Sequence, residues 1–201
     1  MCSKRDMTGS SRHATAWRLC GTSAAVGMLG AAAAILLTAA GATTPKIPLV
    51  SVDHQGLMKE VSRHRGKVVV LDCWSTSCPP CVREFPGLVR LAAARQQDVV
   101  CLSLAIEADG VQSVEEAVPA VRSFLDTVGA HGVVNMIATE EADALYRKLE
   151  LASVPAVFVW DRDGTLATRF DEDRAATALG RPFTYADVNA AVEGLLATPG
   201  R

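Results

Sequence analysis

An excess of basic charge is missing from this chain. Its 20 Lys and Arg face 22 Asp and Glu, for a formal net charge of −2 at pH 7. That balance lacks the electrostatic footprint of a nucleic-acid binder. Cysteine is also scarce. Of six, Cys2 and Cys20 lie near the N-terminus, leaving Cys73, Cys78, Cys81 and Cys101. These are too few for a disulfide-built scaffold of this length. No second Cys-x-x-Cys is present, and His54, His64 and His131 are scattered. A structural zinc site built on the first pair would therefore lack its other ligands. Internal repeats are absent too. Hydrophobic residues are plentiful, at 49% of 201, enough for one domain with a sizeable core plus an appendage.

Charge is absent from Arg18 to Lys46, and the centre of that gap is AAVGMLGAAAAILLTAA, Ala24–Ala40. Ahead of it, Lys4, Arg5, Arg12 and Arg18 outweigh Asp6. A basic lead, an apolar run and a small-residue tail describe an export signal. Ala40-Gly41-Ala42 fits a small-x-small cleavage pattern, which would make Thr43 the first mature residue. Leu19–Ala42 is also long enough to cross a bilayer of about 30 Å, so a retained anchor is an equal alternative. Both readings place residues 43–201 outside the cytoplasm. Cys20 precedes the apolar run, which argues against lipoprotein-type modification there. The expected organisation is a signal or anchor over residues 1–42, a linker over 43–48 and a folded domain over 49–201.

Within that domain the patterns alternate. Leu49–Val52 is expected as a short strand and Gln55–Arg65 as a helix. KVVVLDCW, Lys67–Trp74, is a continuous run suited to a central strand buried on both faces. Pro79–Arg95 has helical spacing, with a kink expected at Pro86. Asp98–Ile106 is a second buried strand, Ser113–Val128 a helix with Pro119 as a weak point, Val133–Ile137 a strand and Glu140–Leu149 a helix. Ala156–Trp160 and Thr165–Phe170 form a hairpin about the turn Asp161–Gly164. Asp171–Arg181 is charged and expected to be irregular, and Phe183–Leu196 closes the chain as a helix. This order predicts an α/β domain with a mixed sheet flanked by helices.

The stretch WSTSCPPCVREFP, Trp74–Pro86, follows the central strand at once. Its cysteine pair could be half a metal clip, a structural staple or a redox couple. A staple closing two residues would remove little entropy from the unfolded chain. The redox reading has a positive cause. Cys78 falls at the start of a helix, where unpaired N–H groups and the helix dipole favour a thiolate. Cys81, one turn in, is shielded. Cys78 would attack a partner's disulfide and Cys81 would resolve the mixed disulfide. Pro79 and Pro80 stiffen the connection between them.

VVVLDCWSTSCPPCVREFP resembles the active site of the thioredoxin fold, and the resemblance extends over about residues 47–197. It is similar to the TlpA/ResA-type extracytoplasmic thiol-disulfide oxidoreductases. Val154-Pro155 matches that family's cis-proline loop, and Pro86 its helix-kink proline. The segment between Asp98–Ile106 and Val133–Ile137 matches the extra helix of this branch. Two departures stand out. Ser77 occupies the place of the tryptophan usual before the first cysteine, and Cys73 replaces the aromatic common before Trp74.

The resemblance implies further roles. Asp72 matches thioredoxin's buried aspartate, which would take the proton of Cys81 as that sulfur attacks. Glu84 matches a glutamate near the cysteines of ResA-type proteins, with a surface helix acid as its alternative. Trp74, Ser77, Pro79, Pro80, Val154 and Pro155 are the expected partner-binding surface, with a core or site-wall place as the alternative for Trp74. Cys73 and Cys101 are expected to behave as small hydrophobes, not as a second disulfide. No cofactor and no metal are implied. The implied activity is reduction of disulfides in exported proteins, apocytochrome c among them, with recharging by a membrane thiol electron donor. A disulfide-forming oxidant of the same fold, a thiol peroxidase and a copper chaperone using Cys78 and Cys81 are the alternatives.

Overall fold

The computed structural model describes residues 46–107 and 113–198. The expected signal or anchor falls outside them. Among the described residues no helix is long and apolar enough to cross a membrane.

Strands β1 (Val50–Val52), β2 (Val68–Trp74), β3 (Val99–Ala105), β4 (Val134–Ala138), β5 (Ala156–Trp160) and β6 (Leu166–Phe170) form one sheet in the order β1-β4-β3-β2-β5-β6. The first four are mutually parallel, while β5 runs antiparallel to β2, and β6 to β5. All seven residues of β2 are buried. This is what a β-branched run with neighbours on both edges and helices on both faces requires. Helices α1 (His54–Arg63) and α5 (Ala142–Leu149) cover one face. Helices α2 (Pro79–Glu84), α3 (Pro86–Ala94), α4 (Val114–Val128), α6 (Glu172–Leu179) and α7 (Tyr185–Ala197) contribute to the core on the other.

Strand alternation divides the residues of β2 between the two cores. Val68, Val70 and Trp74 enter the core with α2 and α3, whereas Val69, Leu71 and Cys73 face α1 and α5. Cys101 lies in the first core and Cys73 in the second. The sheet separates these two thiols, so they cannot bond, and both are unpaired cysteines. Pro86 divides the expected long helix into α2 and α3 at Phe85.

Two expectations need correction. The segment Asp171–Arg181 is not irregular, because it contains α6. Asp171 caps that helix by accepting from the Arg174 N–H at 2.9 Å, and Gly180 ends it at φ 64°. Its single buried residue, Ala175, is too weak a periodic signal to reveal a helix. Helix α4 continues through Pro119, which faces solvent, where the carbonyl it leaves unpaired can be hydrated. The segment read as a linker is anchored at its end, since Ile47 is buried in the core and its carbonyl accepts from the Arg122 guanidinium at 3.2 Å.

Helices α3 and α7 meet through Gly87. A Cβ added there would lie 2.2 Å from Cγ of Tyr185. Gly87→Ala is expected to cost about 1–3 kcal/mol by overpacking, read as a lower denaturation midpoint at unchanged slope.

Candidate active site

Cys78 and Cys81 are joined as a disulfide, with Cα atoms 5.3 Å apart. Cys78 is the N-cap of α2, and its sulfur lies 3.2 Å from the Cys81 backbone nitrogen, which donates to it. Pro79 and Pro80 fill the first helical positions, where a missing N–H leaves no intrahelical bond unmade. The two sulfurs have different surroundings. Cys78 is partly exposed, whereas Cys81 is 2% exposed and belongs to the core. Val154-Pro155 is cis, and the Val154 carbonyl oxygen lies 3.6 Å from the Cys78 sulfur. Pro80, Val154, Pro155, Pro182 and Phe183 line a groove of about 180 Å³ beside this contact.

The loop from β2 to Cys78 is clamped to the end of β3 by Glu107. This buried carboxylate accepts from the Thr76 N–H at 2.6 Å, the Thr76 hydroxyl at 3.0 Å and the Ser75 hydroxyl at 3.1 Å. Ser75 and Ser77 hydroxyls are 2.9 Å apart, and the Cys78 N–H closes the turn onto the Ser75 carbonyl. The exposed Ser77 thus belongs to a polar loop and leaves the first cysteine open to solvent on that side.

Asp72 lies on the sheet face that carries Val70 and Trp74, in the core that holds Cys81. The Tyr185 hydroxyl donates to its Oδ2 at 2.5 Å, while Oδ1 has no hydrogen-bond partner among the described residues. Loss of hydration raises the carboxyl to about 7. The Tyr185 bond opposes that rise and the nearby Glu84 adds to it. Glu84 is partly buried, and its Oε2 accepts from the Tyr185 backbone N–H at 3.3 Å. Burial also pushes the Cys101 thiol up to about 12 and raises Cys73, so neither is a reactive thiolate.

One proposed partner contact is corrected. Trp74 has no exposed surface and packs between Phe85 and Phe124, with ring centroids 4.8 Å away in each case. A side chain in the middle of this aromatic group supports α2 from below and cannot touch a partner. Pro79, Pro80, Ser77, Val154 and Pro155 keep surface at the site.

The profile of the redoxin family matches residues 39–187. The chain belongs to the redoxin family. Among curated relatives, this redoxin is 28% identical over 127 residues to the thiol-disulfide oxidoreductase ResA of Geobacillus kaustophilus. That alignment covers 63% of this chain and 66% of the relative, so the chain spans just under two thirds of the relative's length. Further ResA relatives, from Bacillus thuringiensis and Bacillus anthracis, are 28% identical over 115 residues. Two solved structures share the fold. A secreted Mycobacterium tuberculosis disulfide oxidoreductase homologous to Escherichia coli DsbE superposes with TM-score 0.50 at 22% identity, covering 67% of this chain and 86% of that one. A thioredoxin-family thiol:disulfide interchange protein from Chlorobium tepidum gives 0.50 at 18%, with 67% and 83% covered.

Cys78, Cys81, Asp72, Glu84 and the Val154-Pro155 loop, expected from the sequence, lie at this end of β2, joined by Glu107 and Tyr185, which no sequence pattern marks. Glu107 lies just past a recognised strand end, where an acid reads as solvated. Tyr185 is 113 residues from Asp72, and no local pattern marks it.

The raised Asp72 carboxyl sets a stability prediction. Its folded pKa exceeds the unfolded value of 3.8, so its contribution is most favourable below about pH 4 and is lost as pH rises through about 7. Relative to the native chain, Asp72→Asn is expected to gain up to about 4 kcal/mol between pH 4 and pH 8. Denaturant unfolding across pH checks this, and a constant difference would reject the raised carboxyl. Glu107→Ala is expected to cost about 1–3 kcal/mol by leaving buried donors unpaired. It should also speed amide exchange at Thr76 and Ser77.

Proposed function

We propose that this redoxin is an extracytoplasmic thiol–disulfide oxidoreductase that reduces disulfides of exported proteins. The observation that carries the reading is the asymmetry of the pair: Cys78 is partly exposed and capped by the Cys81 N–H, while Cys81 is buried. In the reduced pair, Cys78 as thiolate attacks one sulfur of the partner's disulfide. A Cys78–partner disulfide forms, and the other partner sulfur leaves as a thiolate that takes a proton from water. Cys81 then loses its proton to Asp72 and attacks the Cys78 sulfur. The Cys78–Cys81 bond forms, the partner's second thiolate leaves and is protonated, and two electrons have passed to the partner. The proton returns to water from Asp72.

Ser77, Pro79, Pro80, Val154 and Pro155 are the proposed binding surface, with the Val154 carbonyl beside the reacting sulfur. The basic and apolar N-terminal segment supports an extracytoplasmic location, by cleaved signal or retained anchor. Apocytochrome c thiols are one partner class, and a membrane thiol carrier is the proposed electron donor. The oxidised pair of an exported reductase needs such a donor in a compartment that favours disulfides.

Equilibration against thiol–disulfide buffers, with alkylation of the thiols, tests the direction. A Cys78–Cys81 midpoint near or below about −220 mV supports the reductase, and one near about −120 mV identifies an oxidant instead. Cys81→Ser is expected to accumulate a mixed disulfide through Cys78, whereas Cys78→Ser should trap none. The absence of any reversible couple would sink the redox reading.

A further inference from the structure

We propose that Tyr185 is a positioning residue for the resolving step: its hydroxyl binds one oxygen of Asp72 and leaves the other turned free to receive the Cys81 proton, while its backbone joins that acid to Glu84. The inference rests on the oxidoreductase reading above and assigns part of its proton handling to a residue on α7.

The geometry is specific. A single residue donates to both acids of the site, through its hydroxyl to Asp72 Oδ2 at 2.5 Å and through its N–H to Glu84 Oε2 at 3.3 Å. Asp72 and Tyr185 are 3% and 4% exposed, so water is a poor substitute for the bond between them. The groups acting electrostatically with Asp72 are Tyr185 from α7, Glu84 from α2, Cys73 from its own strand and Cys101 from β3. None is a cation. A buried carboxylate normally requires a paired charge or several donors. Here one phenol donates to Oδ2, and Oδ1 is buried without a partner among the described residues. A carboxyl held this way can ionise only at a cost, and an open oxygen is where an incoming proton would reside.

Tyr185 is itself held in place. Thr184 and Asp187 form a capping box at the start of α7, and Arg181 grips Asp187 through two bonds at 2.7 and 2.9 Å. On the other side the ring lies where any side chain at position 87 would be, so Gly87 makes its seat. Hydroxyl, backbone N–H and ring are thus fixed by three separate contacts. During resolution the Cys81 thiol proton passes to Asp72 Oδ1 as the Cys81–Cys78 bond forms and the Cys78–partner bond breaks. Tyr185 keeps its own proton throughout and stabilises the negative charge on Asp72 before that transfer.

The test is Tyr185→Phe in the full chain, because it removes one oxygen and leaves the ring against Gly87. Two readouts are compared. The first is the Asp72 titration, followed by carboxyl carbon-13 NMR of the oxidised protein, which requires no activity. Loss of a hydrogen bond to a charged group should raise the midpoint by about one unit or more. The second is the rate of mixed-disulfide resolution against pH. It should fall about fivefold or more at pH 7 and recover at alkaline pH. Added to Asp72→Asn, the same substitution should cause no further loss. An unmoved Asp72 midpoint overturns the proposal, as does a loss that is equal at every pH or persists in the Asp72→Asn background. A moved midpoint in a protein that exchanges no disulfides in its native form would confirm the hold on Asp72 and overturn the oxidoreductase reading instead.

Discussion

Strand β2 has neighbours on both edges and a hydrophobic layer on both faces, so all seven of its residues are out of water. For Val68 to Leu71 that burial is simply favourable, at about 25 cal/mol per Å² of apolar surface. For Asp72 it is the central electrostatic event of the domain. Nothing in the strand can solvate its carboxyl, and the antiparallel and parallel neighbours occupy the backbone groups on both sides. The same strand then delivers the chain directly into the loop that carries Cys78. The buried acid and the reacting sulfur are therefore fixed relative to one rigid element, which is a better platform for chemistry than a flexible loop.

Two clamps finish what β2 begins. At the exit of the strand, Glu107 gathers three donors from Ser75 and Thr76 and binds the loop to the end of β3. The Trp74 carbonyl accepts from the Ile106 N–H at 2.8 Å, which joins the same two strand ends through their backbones. Below the loop, Trp74, Phe85 and Phe124 pack as an aromatic group. Phe124 comes from α4, the helix inserted between β3 and β4. The insertion therefore supports the floor of the site, and that role explains why Trp74 is a core residue and not part of the partner surface.

The legible parts of this protein are those whose cause is local. The β-branched run marks β2 because burial on both faces requires it, and the two prolines after Cys78 mark a helix start because only there is a missing N–H harmless. The alternation of β2 and β3 also decides the fate of Cys73 and Cys101, once their faces are known. Other features arise from long-range packing. Helix α6 has a capping aspartate and a terminal glycine but only one buried side chain, so its hydrophobic period is invisible. Tyr185 is ordinary in its own neighbourhood, and its role exists only because α7 crosses α3 at Gly87. The resemblance to thioredoxin marked Asp72 by position and that to ResA-type proteins marked Glu84, yet neither marked the phenol that bridges them.

In the proposed exchange the two sulfurs of the pair call for opposite environments, and the fold supplies both within one turn of helix. Cys78 must ionise readily before a partner arrives. Its cap position gives it the Cys81 N–H and partial access to water. Cys81 must stay protonated until the mixed disulfide exists, or it would compete for the same attack. Its place in the core, away from water, leaves the departing proton without a solvent acceptor. A nearby group able to accept one proton near neutral pH resolves the conflict, and a carboxyl raised to about 7 meets that requirement where an exposed aspartate would be too weak a base. On that mechanism the stability lost by burying the carboxyl is tied to the resolving step. Replacing Asp72 by an uncharged residue relieves the folded state of a buried charge and, on the proposed mechanism, removes the place where the Cys81 proton goes.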